Sequence, residues 1–308
     1  MANQTTIEVD NAAKLAEIGS IKRGWISEIV WSPNGETLAI ADAGGLALYI
    51  NTLAGAPTQL IEAHDGPVKC VAYSCKAYLM ATGSADTTIR LWDVDPETQQ
   101  ISERAVLKGH DDAVDGVALS PQGTMLASCG ADRTVRLWNT EVGIQQQAFT
   151  GHEGEIDTVA FGMNAEIVIT GARDKTVRLW DLKGEIHGTI LGEHDDWVRH
   201  ITVSPGMTML ASAGKDMTVR VWDLIDAEQT HILQAHLNGV DCVAFSPDGA
   251  LLASGGRDNN IKIWDLNQGN LLATLNGHTK PVLSLAFNPT GTILASGSGD
   301  NHVKFWAV

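Results

Sequence analysis

Apolar and polar residues alternate along most of the chain in runs of four to eight positions, and each run ends at a turn sequence. The clearest turns are the tetrapeptides SPNG at 32, SPQG at 120, SPDG at 246 and NPTG at 288. Proline fits the first central position of a tight turn, and glycine supplies the positive φ that follows. The pattern therefore predicts short antiparallel strands joined by hairpin turns, and an all-β fold.

The strand pattern repeats along the chain. A histidine that follows Gly, Ala or Glu occurs six times, with spacings of 46, 42, 42, 42 and 42 residues. Each histidine is followed 28 residues later by a tryptophan. Several short strands in each unit of this length indicate a radial array of small antiparallel sheets.

The GH and WD signatures, and the segment VAFSPDGALLASGGRDNNIKIWD at 243–265, resemble the WD40 repeat family over nearly the whole chain. The resemblance implies a seven-bladed β-propeller of four-stranded antiparallel blades, with an N-terminal strand that completes the last blade. Counting back 42 residues from His64 starts a first repeat at Lys22. The seven repeats are 22–50, 64–92, 110–138, 152–180, 194–222, 236–264 and 278–306, with 5–21 as the closing strand and 1–308 as one domain.

Six repeats share four side chains: the histidine, a Ser or Thr 18 residues later, an Asp 22 residues later and the Trp 28 residues later. The sets are His64/Thr82/Asp86/Trp92, His110/Ser128/Asp132/Trp138, His152/Thr170/Asp174/Trp180, His194/Ser212/Asp216/Trp222, His236/Ser254/Asp258/Trp264 and His278/Ser296/Asp300/Trp306. Ser, His and Asp are also the residue types of a hydrolase triad. Six copies in register favour instead a buried chain in which indole, hydroxyl, imidazole and carboxylate satisfy one another. This arrangement resembles the structural tetrad of WD40 blades.

The first repeat has Lys22, Ile40, Gly44 and Ile50 at the four tetrad positions, so all four partners are absent together. Removing one partner would strand the others at about 1–3 kcal/mol per buried group, whereas replacing the whole set can be nearly neutral. Joint absence is therefore what a cooperative structural network predicts. The alternative is that this repeat forms a ligand pocket.

Composition narrows the possible partners and compartments. With 21 basic and 37 acidic residues the net charge is −16, which disfavours binding to nucleic acid and to anionic membranes. The cysteines Cys70, Cys75, Cys129 and Cys242 have no metal-site or disulfide-framework spacing, and no cofactor-binding motif is present. No signal sequence or 18-residue apolar run occurs. We expect a soluble, intracellular, cytoplasmic protein without a cofactor or metal.

Candidate binding residues follow from the family geometry. In WD40 propellers the positions three and five after the histidine, and the position before the tetrad Asp, face the top of the ring around the central channel. Trp and Arg dominate binding hot spots. The resulting candidates are Trp197, Arg199, Lys215, Arg173, Arg257, Trp25, Asp157, Asp241 and Lys69.

Four of these candidates are cations on three adjacent repeats beside Trp197, although the chain is acidic. They favour an extended or acidic peptide as the ligand, with Trp197 giving apolar or cation–π contact. The alternative is that two of the arginines pair locally with Asp157 and Asp241 and leave a neutral, wet surface. The interleaved acids would also suit a basic peptide.

These observations favour a monomeric, non-catalytic protein–protein interaction scaffold that binds a partner peptide or domain on its top face. One alternative is a propeller-top hydrolase or metal-dependent enzyme, for which Asp115, Glu155, Asp157 and Asp241 are the available acids. Another is a purely structural subunit of a larger complex.

One interval departs from the regular spacing. Between Trp92 and His110 the chain has four extra residues, within the segment VDPETQQISE at 94–103. By the family geometry this longer, acidic loop lies on the bottom rim. Solvated surface is favoured over a binding site there.

Overall fold

Each repeat forms one four-stranded antiparallel sheet, or blade, in the computed structural model. The structure describes residues 5–51, 53, 55–74, 76, 78–183 and 187–308, and these form seven blades. The innermost strands of neighbouring blades are in contact all the way around a central channel. The predicted seven-bladed propeller is thus confirmed.

Blades 1 to 7 are numbered from the first complete repeat, and their strands are given from the channel outwards. Blade 1 contains β2 Ile26–Trp31, β3 Thr37–Asp42, β4 Gly45–Ile50 and β5 Gln59–Ile61. Blade 2 contains β6 Val68–Tyr73, β7 Leu79–Ser84, β8 Thr88–Val94 and β9 Ile101–Lys108. Blade 3 contains β10 Val114–Leu119, β11 Met125–Gly130, β12 Val135–Asn139 and β13 Ile144–Phe149. Blade 4 contains β14 Ile156–Gly162, β15 Ile167–Ala172, β16 Thr176–Asp181 and β17 His187–Glu193.

The remaining blades follow the same order. Blade 5 contains β18 Val198–Val203, β19 Met209–Gly214, β20 Thr218–Asp223 and β21 Glu228–Gln234. Blade 6 contains β22 Val240–Phe245, β23 Leu251–Gly256, β24 Asn260–Asp265 and β25 Asn270–Asn276. Blade 7 contains β26 Val282–Phe287, β27 Leu294–Ser298, β28 His302–Ala307 and β1 Ala16–Lys22. Short 3-10 helices occur at Ala12–Lys14 and Met163–Ala165.

The N-terminal segment closes the ring, as predicted. Strand β1 pairs antiparallel with β28, and Lys304 Nζ lies 2.7 Å from Glu17 Oε2 across this pair. The strand occupies only the second part of the predicted segment 5–21. Ahead of it, the buried side chain of Ile7 packs with residues of blades 6 and 7, and its N–H donates to the carbonyl of Gly291 at 2.8 Å. Closure of this kind leaves no unpaired edge between the first and last blades.

Apolar side chains fill the space between blades. The tetrad tryptophan of a blade packs against the preceding blade: Trp138 joins Leu79 and Ile89 of blade 2, and Trp180 joins Ala127 and Val135 of blade 3. Each blade therefore buries its tryptophan against its neighbour, which is the nearest-neighbour packing expected of a repeat protein.

Blade 1 departs from the predicted alignment. In blade 2, Met80 pairs with Trp92, whereas the matching Leu38 of blade 1 pairs with Tyr49. Tyr49, and not Ile50, therefore takes the tryptophan position. The cause is a shorter β3–β4 turn, in which Asp42 pairs directly with Gly45 across only two residues. Counting at a constant 28-residue interval could not detect this one-residue deletion.

Candidate functional site

All six tetrads form continuous hydrogen-bonded chains. The histidine Nδ1 lies 2.8–3.0 Å from an aspartate oxygen, and Nε2 lies 2.7–2.9 Å from the Ser or Thr hydroxyl. The tryptophan Nε1–H donates to the same hydroxyl at 2.8–3.0 Å. Each blade from 2 to 7 thus connects its channel-side and outer strands through one polar chain.

Burial separates these groups from any ligand. Six hydroxyl-bearing residues have 0% exposure: Thr82, Ser128, Thr170, Ser212, Ser254 and Ser296. Six indoles have at most 5% exposure: Trp92, Trp138, Trp180, Trp222, Trp264 and Trp306. The side chains of six histidines have 0% exposure: His64, His110, His152, His194, His236 and His278.

The carboxylates at the end of each chain are also largely covered. Their side chains are 4–12% exposed: Asp86, Asp132, Asp174, Asp216, Asp258 and Asp300. A substrate has no access to hydroxyls this deep, although Ser, His and Asp are together in each blade as in a hydrolase triad. The hydroxyls are therefore positioned as structural links and not as nucleophiles.

The charge state of the tetrads fits this role. Burial raises the pKa of Asp216, but hydrogen bonds from His194, the Asp195 N–H and Thr218 outweigh it and hold the pKa below its usual value. Burial lowers the pKa of His236. A neutral imidazole next to a carboxylate then donates through Nδ1 and accepts at Nε2 from the hydroxyl.

Blade 1 replaces its tetrad with another buried polar group. Arg23 Nε donates to Asp42 Oδ2 at 2.8 Å, and the Asp42 side chain is only 1% exposed. The second carboxylate oxygen accepts the Gly44 N–H at 2.7 Å. Burial raises the pKa of Tyr49, and the neighbouring Arg23 opposes this rise. Sequence comparison missed this group because Arg23 and Asp42 lie one and two residues away from the tetrad positions.

On the top face, where the β-turns of the tetrad aspartates lie, three predicted cations surround the Trp197 ring. Lys215 Nζ lies 4.2 Å from the ring centroid, and the guanidinium carbons of Arg173 and Arg199 lie at 5.0 and 5.3 Å. We call Trp197, Arg173, Arg199 and Lys215 the Trp197 cluster. Cations at these distances over indole are attracted by the negative ring face. Trp197 thus acts first as a platform that holds cations together.

The local ion pairs proposed as the alternative are also present. Arg173 Nε lies 3.0 Å from Asp157, and Arg257 Nε lies 3.1 Å from Asp241. Arg199 lies between these two aspartates, 4.0 Å from Asp157 and 3.7 Å from Asp241. The three arginines and two aspartates therefore form one alternating chain across blades 4, 5 and 6.

In these pairs the cations face outwards and the acids lie beneath. The Arg257 side chain is 42% exposed while Asp241 is 8% exposed. Arg173 and Asp157 differ in the same way, at 31% and 11%, and so do Lys69 and Asp115, at 42% and 14%. An approaching ligand consequently meets mainly positive side chains, although the net charge of the cluster is close to zero.

A cavity of about 260 Å³ opens at the top of the channel, and we call it the channel mouth. Seven predicted residues line it: Trp25, Lys69, Asp157, Arg173, Arg199, Asp241 and Arg257. Trp25 is 51% exposed. The other two predicted residues, Trp197 and Lys215, lie on the outer side of the cluster. Arg173 and Arg199 belong to both parts and connect them.

Burial perturbs the acids of the channel mouth. It raises the pKa of Asp157 to about 6, against the opposing influence of Arg173 and Arg199. Burial also raises the pKa of Asp115. Arg199 Nε and Asp241 Oδ2 are buried and have no hydrogen-bond partner among the residues that the structure describes. Such groups normally bind water or a ligand atom.

Below the channel mouth lies a cavity of about 530 Å³ lined by the inner strands. At the channel-facing position of β2, the Glu28 carboxylate accepts the N–H of Val71 in the next blade at 2.7 Å. Burial raises the pKa of Glu28 to about 7 and lowers that of His200, at the matching position of blade 5, to about 4. Sequence analysis did not select Glu28; its signal is a carboxylate where other repeats have Cys70, Gly116, Thr158, His200, Cys242 or Ser284.

The described residues include no cluster of metal ligands. No group of three or more His, Cys, Asp or Glu side chains within 5–51, 53, 55–74, 76, 78–183 and 187–308 could hold a metal ion. No helix in the part of the chain that the structure describes is long and apolar enough to cross a membrane. Cys70, Cys129 and Cys242 are free and buried, while Cys75 lies outside the described residues.

Comparison with known proteins agrees with this architecture. The family model "WD domain, G-beta repeat" matches residues 55–93, 101–139, 143–181, 185–223, 227–265 and 269–307. These segments contain all six tetrad tryptophans and leave out β2, β3 and β4 of blade 1, where the tetrad is replaced.

Two curated relatives align with short parts of the chain. A target of rapamycin complex subunit, wat1, of Schizosaccharomyces pombe is 33% identical over 70 residues, which is 22% of each protein. The WD40 repeat protein poxJ of Penicillium oxalicum is 32% identical over 82 residues, or 24% of each. The alignments therefore span less than a quarter of each relative. Since the family model matches most of the sequence and the fold is a seven-bladed propeller, this chain belongs to the WD40 repeat family.

Proposed function

We propose that this protein is a non-catalytic interaction scaffold that binds an acidic segment of a partner protein on its top face, across the Trp197 cluster and the channel mouth. The observation that carries the proposal is the outward placement of the cations over buried carboxylates. WD40 propellers are typically scaffolds for protein interactions, and one relative is by name a subunit of a complex.

The arrangement suits an extended acidic chain better than a basic one. Arg257, Lys215 and Lys69 each expose about two fifths of their side chains. A partner carboxylate or phosphate can pair with these groups without displacing the aspartates beneath them. A basic peptide would have to reach carboxylates that are already covered by arginine. This difference in depth favours the acidic ligand.

Trp197 and Trp25 add apolar contact at the two ends of this surface. Trp197 lies within the cation cluster, and Trp25 stands half-exposed on blade 1 across the channel mouth. Tryptophan and arginine surrounded by a polar rim is the composition found at binding hot spots. We therefore expect the partner segment to carry apolar side chains beside its acidic ones.

Affinity capture followed by mass spectrometry tests the proposal. The bait is the wild-type chain, compared with a Trp197→Ala, Arg199→Glu double variant. Lys183→Glu is the matched control because Lys183 is exposed and paired with Glu166 on the opposite face. We expect partners to be retained by the wild type and the control and lost by the double variant. Retention of every partner by the double variant would overturn the proposal.

A channel-mouth hydrolase is the second candidate, because Asp157 has a pKa raised to about 6, in the range of a general base. The same carboxylate is paired with Arg173 at 3.0 Å, which favours an electrostatic role in the cluster. A panel of ester, phosphate and peptide substrates, assayed with and without divalent metals, distinguishes the two functions. Activity that disappears in Asp157→Asn would establish the enzyme.

A further inference from the structure

A second cavity, of about 410 Å³, lies on the bottom face between blades 1 and 2. This face carries the turns between the first and second and between the third and fourth strands of each blade, so it is opposite the Trp197 cluster. The lining residues that define its character are Pro33, Tyr73, Lys76, Tyr78, Pro96 and Gln99. We call it the bottom cavity. Its volume is within the range of small-molecule pockets.

The four extra residues of blade 2 build one wall of this cavity. Eight residues, 94–101, separate the paired residues Asp93 and Ser102, whereas four, 266–269, separate the matching Asp265 and Asn270 of blade 6. Pro96 and Gln99 belong to the longer loop. The sequence favoured solvated surface for this loop, but the structure uses it to enclose space.

Hydrogen bonds hold this loop in place. Asp95 Oδ1 accepts the N–H groups of Glu97 at 2.9 Å and Thr98 at 2.7 Å. Gln99 is only 2% exposed, adopts a φ of 58°, and donates from Nε2 to the carbonyl of Pro96 at 2.9 Å. A buried non-glycine residue in the left-handed region has to be held by its surroundings. The wall of the cavity is thus preformed.

The cavity combines flat apolar walls with hydrogen-bond donors. Two prolines and two tyrosines supply the flat surfaces. Lys76 forms no ion pair with any residue in the described ranges, which is unusual in a chain with a net charge of −16. The buried Tyr73 hydroxyl has no hydrogen-bond partner among the described residues, and burial raises its pKa to about 13, so it stays protonated. Both groups require an acceptor.

We propose that the bottom cavity is a binding site for an aromatic carboxylate: a flat ring that contacts the proline and tyrosine walls and carries an acidic group that pairs with Lys76. A ring and a carboxylate together satisfy the apolar surface, the free ammonium and the unpartnered hydroxyl. The ligand is either a free small molecule or an aromatic side chain next to an acidic residue in a peptide. The site is independent of the proposed top-face function because the two surfaces share no residue.

A purely structural role accounts for only part of the loop. Gln59, in the three-residue strand β5, donates from its amide to the carbonyl of Ile101 at 2.9 Å and accepts the Ile101 N–H at 3.0 Å. This contact braces the short outer strand of blade 1. It does not involve Pro96, Gln99 or Lys76, so bracing alone leaves the cavity wall unexplained.

Ligand-observed NMR on the full chain tests the site. The probes are phenylacetate and indole-3-acetate as free molecules, N-acetyl-Phe-Asp-amide as the peptide source, and benzylamine as a cation of similar shape. We expect the carboxylates of one source or both to bind and benzylamine not to bind. Binding by the free acids alone identifies a small-molecule site, and binding by the peptide alone identifies a peptide site. Failure of all carboxylates at millimolar concentration, or equal binding of benzylamine, overturns the proposal.

Variants then locate the binding. Lys76→Gln should weaken the carboxylate by about tenfold, as expected for loss of a charged hydrogen bond, while Lys183→Gln on the same face should have no effect. Tyr78→Asn should also weaken binding, and asparagine tolerates the φ of 44° at this position. Replacing 94–101 by the LNQG sequence of 266–269 should abolish binding. Unchanged affinity in both Lys76→Gln and Tyr78→Asn would contradict the site whether or not the loop graft folds.

Discussion

Lys215 holds its ammonium group 4.2 Å from the centre of the Trp197 ring, and the backbone N–H of Lys215 donates to the Trp197 carbonyl at 2.8 Å. The two residues come from adjacent turns of blade 5, so one blade positions both the aromatic ring and a cation that binds to it. Arg173 from blade 4 approaches the same ring. A single tryptophan therefore connects charges of two blades, which explains why the cluster is ordered although it is on the surface.

The first prediction concerns the π face of Trp197. Trp197→Leu keeps apolar bulk but removes the ring that organises three cations, each worth about 0.5–1 kcal/mol at an exposed site. We expect the affinity for the captured acidic segment to fall about tenfold, measured by calorimetry, with little change in the unfolding midpoint. An unchanged affinity would mean that the ring does not organise the binding surface.

The second prediction concerns the tetrads. Ser212→Ala leaves His194 Nε2 and Trp222 Nε1 buried without their shared partner. The expected loss is about 1–3 kcal/mol of unfolding free energy for each stranded group, measured by chemical denaturation. The exposed Ser102→Ala in β9 is the control and should change stability by less than about 0.5 kcal/mol. Equal stability of the two variants would show that the hydroxyl is not a structural link.

The third prediction concerns the polar group that replaces the tetrad in blade 1. Asp42→Asn removes the buried charge that pairs with Arg23, and breaking a buried pair costs about 3–5 kcal/mol. Glu166→Gln breaks the exposed pair with Lys183 and should cost less than about 1 kcal/mol. Thermal and chemical denaturation of both variants provide the comparison. Similar small effects would remove the stabilising role of Arg23 and Asp42.

The fourth prediction concerns pH and the channel. The pKa of Glu28 rises from 4.5 to about 7, so the folded state binds its proton more tightly than the unfolded state. Its contribution to stability is then complete below pH 4.5 and is lost as the pH rises towards 7. Glu28→Gln cannot ionise and should gain up to about 3 kcal/mol relative to the wild type between pH 5 and pH 8.

Denaturation of both proteins at the two pH values gives this difference. A Glu28→Gln variant whose stability relative to the wild type is the same at pH 5 and pH 8 would contradict the burial of a protonated carboxyl in the channel.

The repeat pattern was sufficient to predict the fold, because each blade contains its own turn residues and, in blades 2 to 7, its own tetrad. The closing strand followed from the family resemblance and is confirmed. The constant interval failed only in blade 1, where a turn shortened by one residue moved Tyr49 into the tryptophan position. A spacing rule cannot detect a deletion when the residue that would mark it, the tryptophan, has also been replaced.

The sequence also brought together the right top-face residues but could not decide between a free cationic patch and local ion pairs. Both are present, since Arg257 pairs with Asp241 and still exposes two fifths of its side chain. Relative depth along a strand pair decides this, and depth is not encoded in the spacing. The bottom cavity was missed for a related reason: Pro33 and Pro96 belong to different blades, and only the assembled ring places them together.

The most direct test of the top-face proposal is hydrogen–deuterium exchange of the chain with and without the captured partner segment. We expect slower exchange in 196–199 and 214–217, which contain much of the Trp197 cluster, and in 24–27 at the channel mouth. Exchange in the bottom turns at 32–35 and 94–101 should not change. Protection confined to the bottom turns, or to the outer strands, would contradict the claim that the top face is the binding surface.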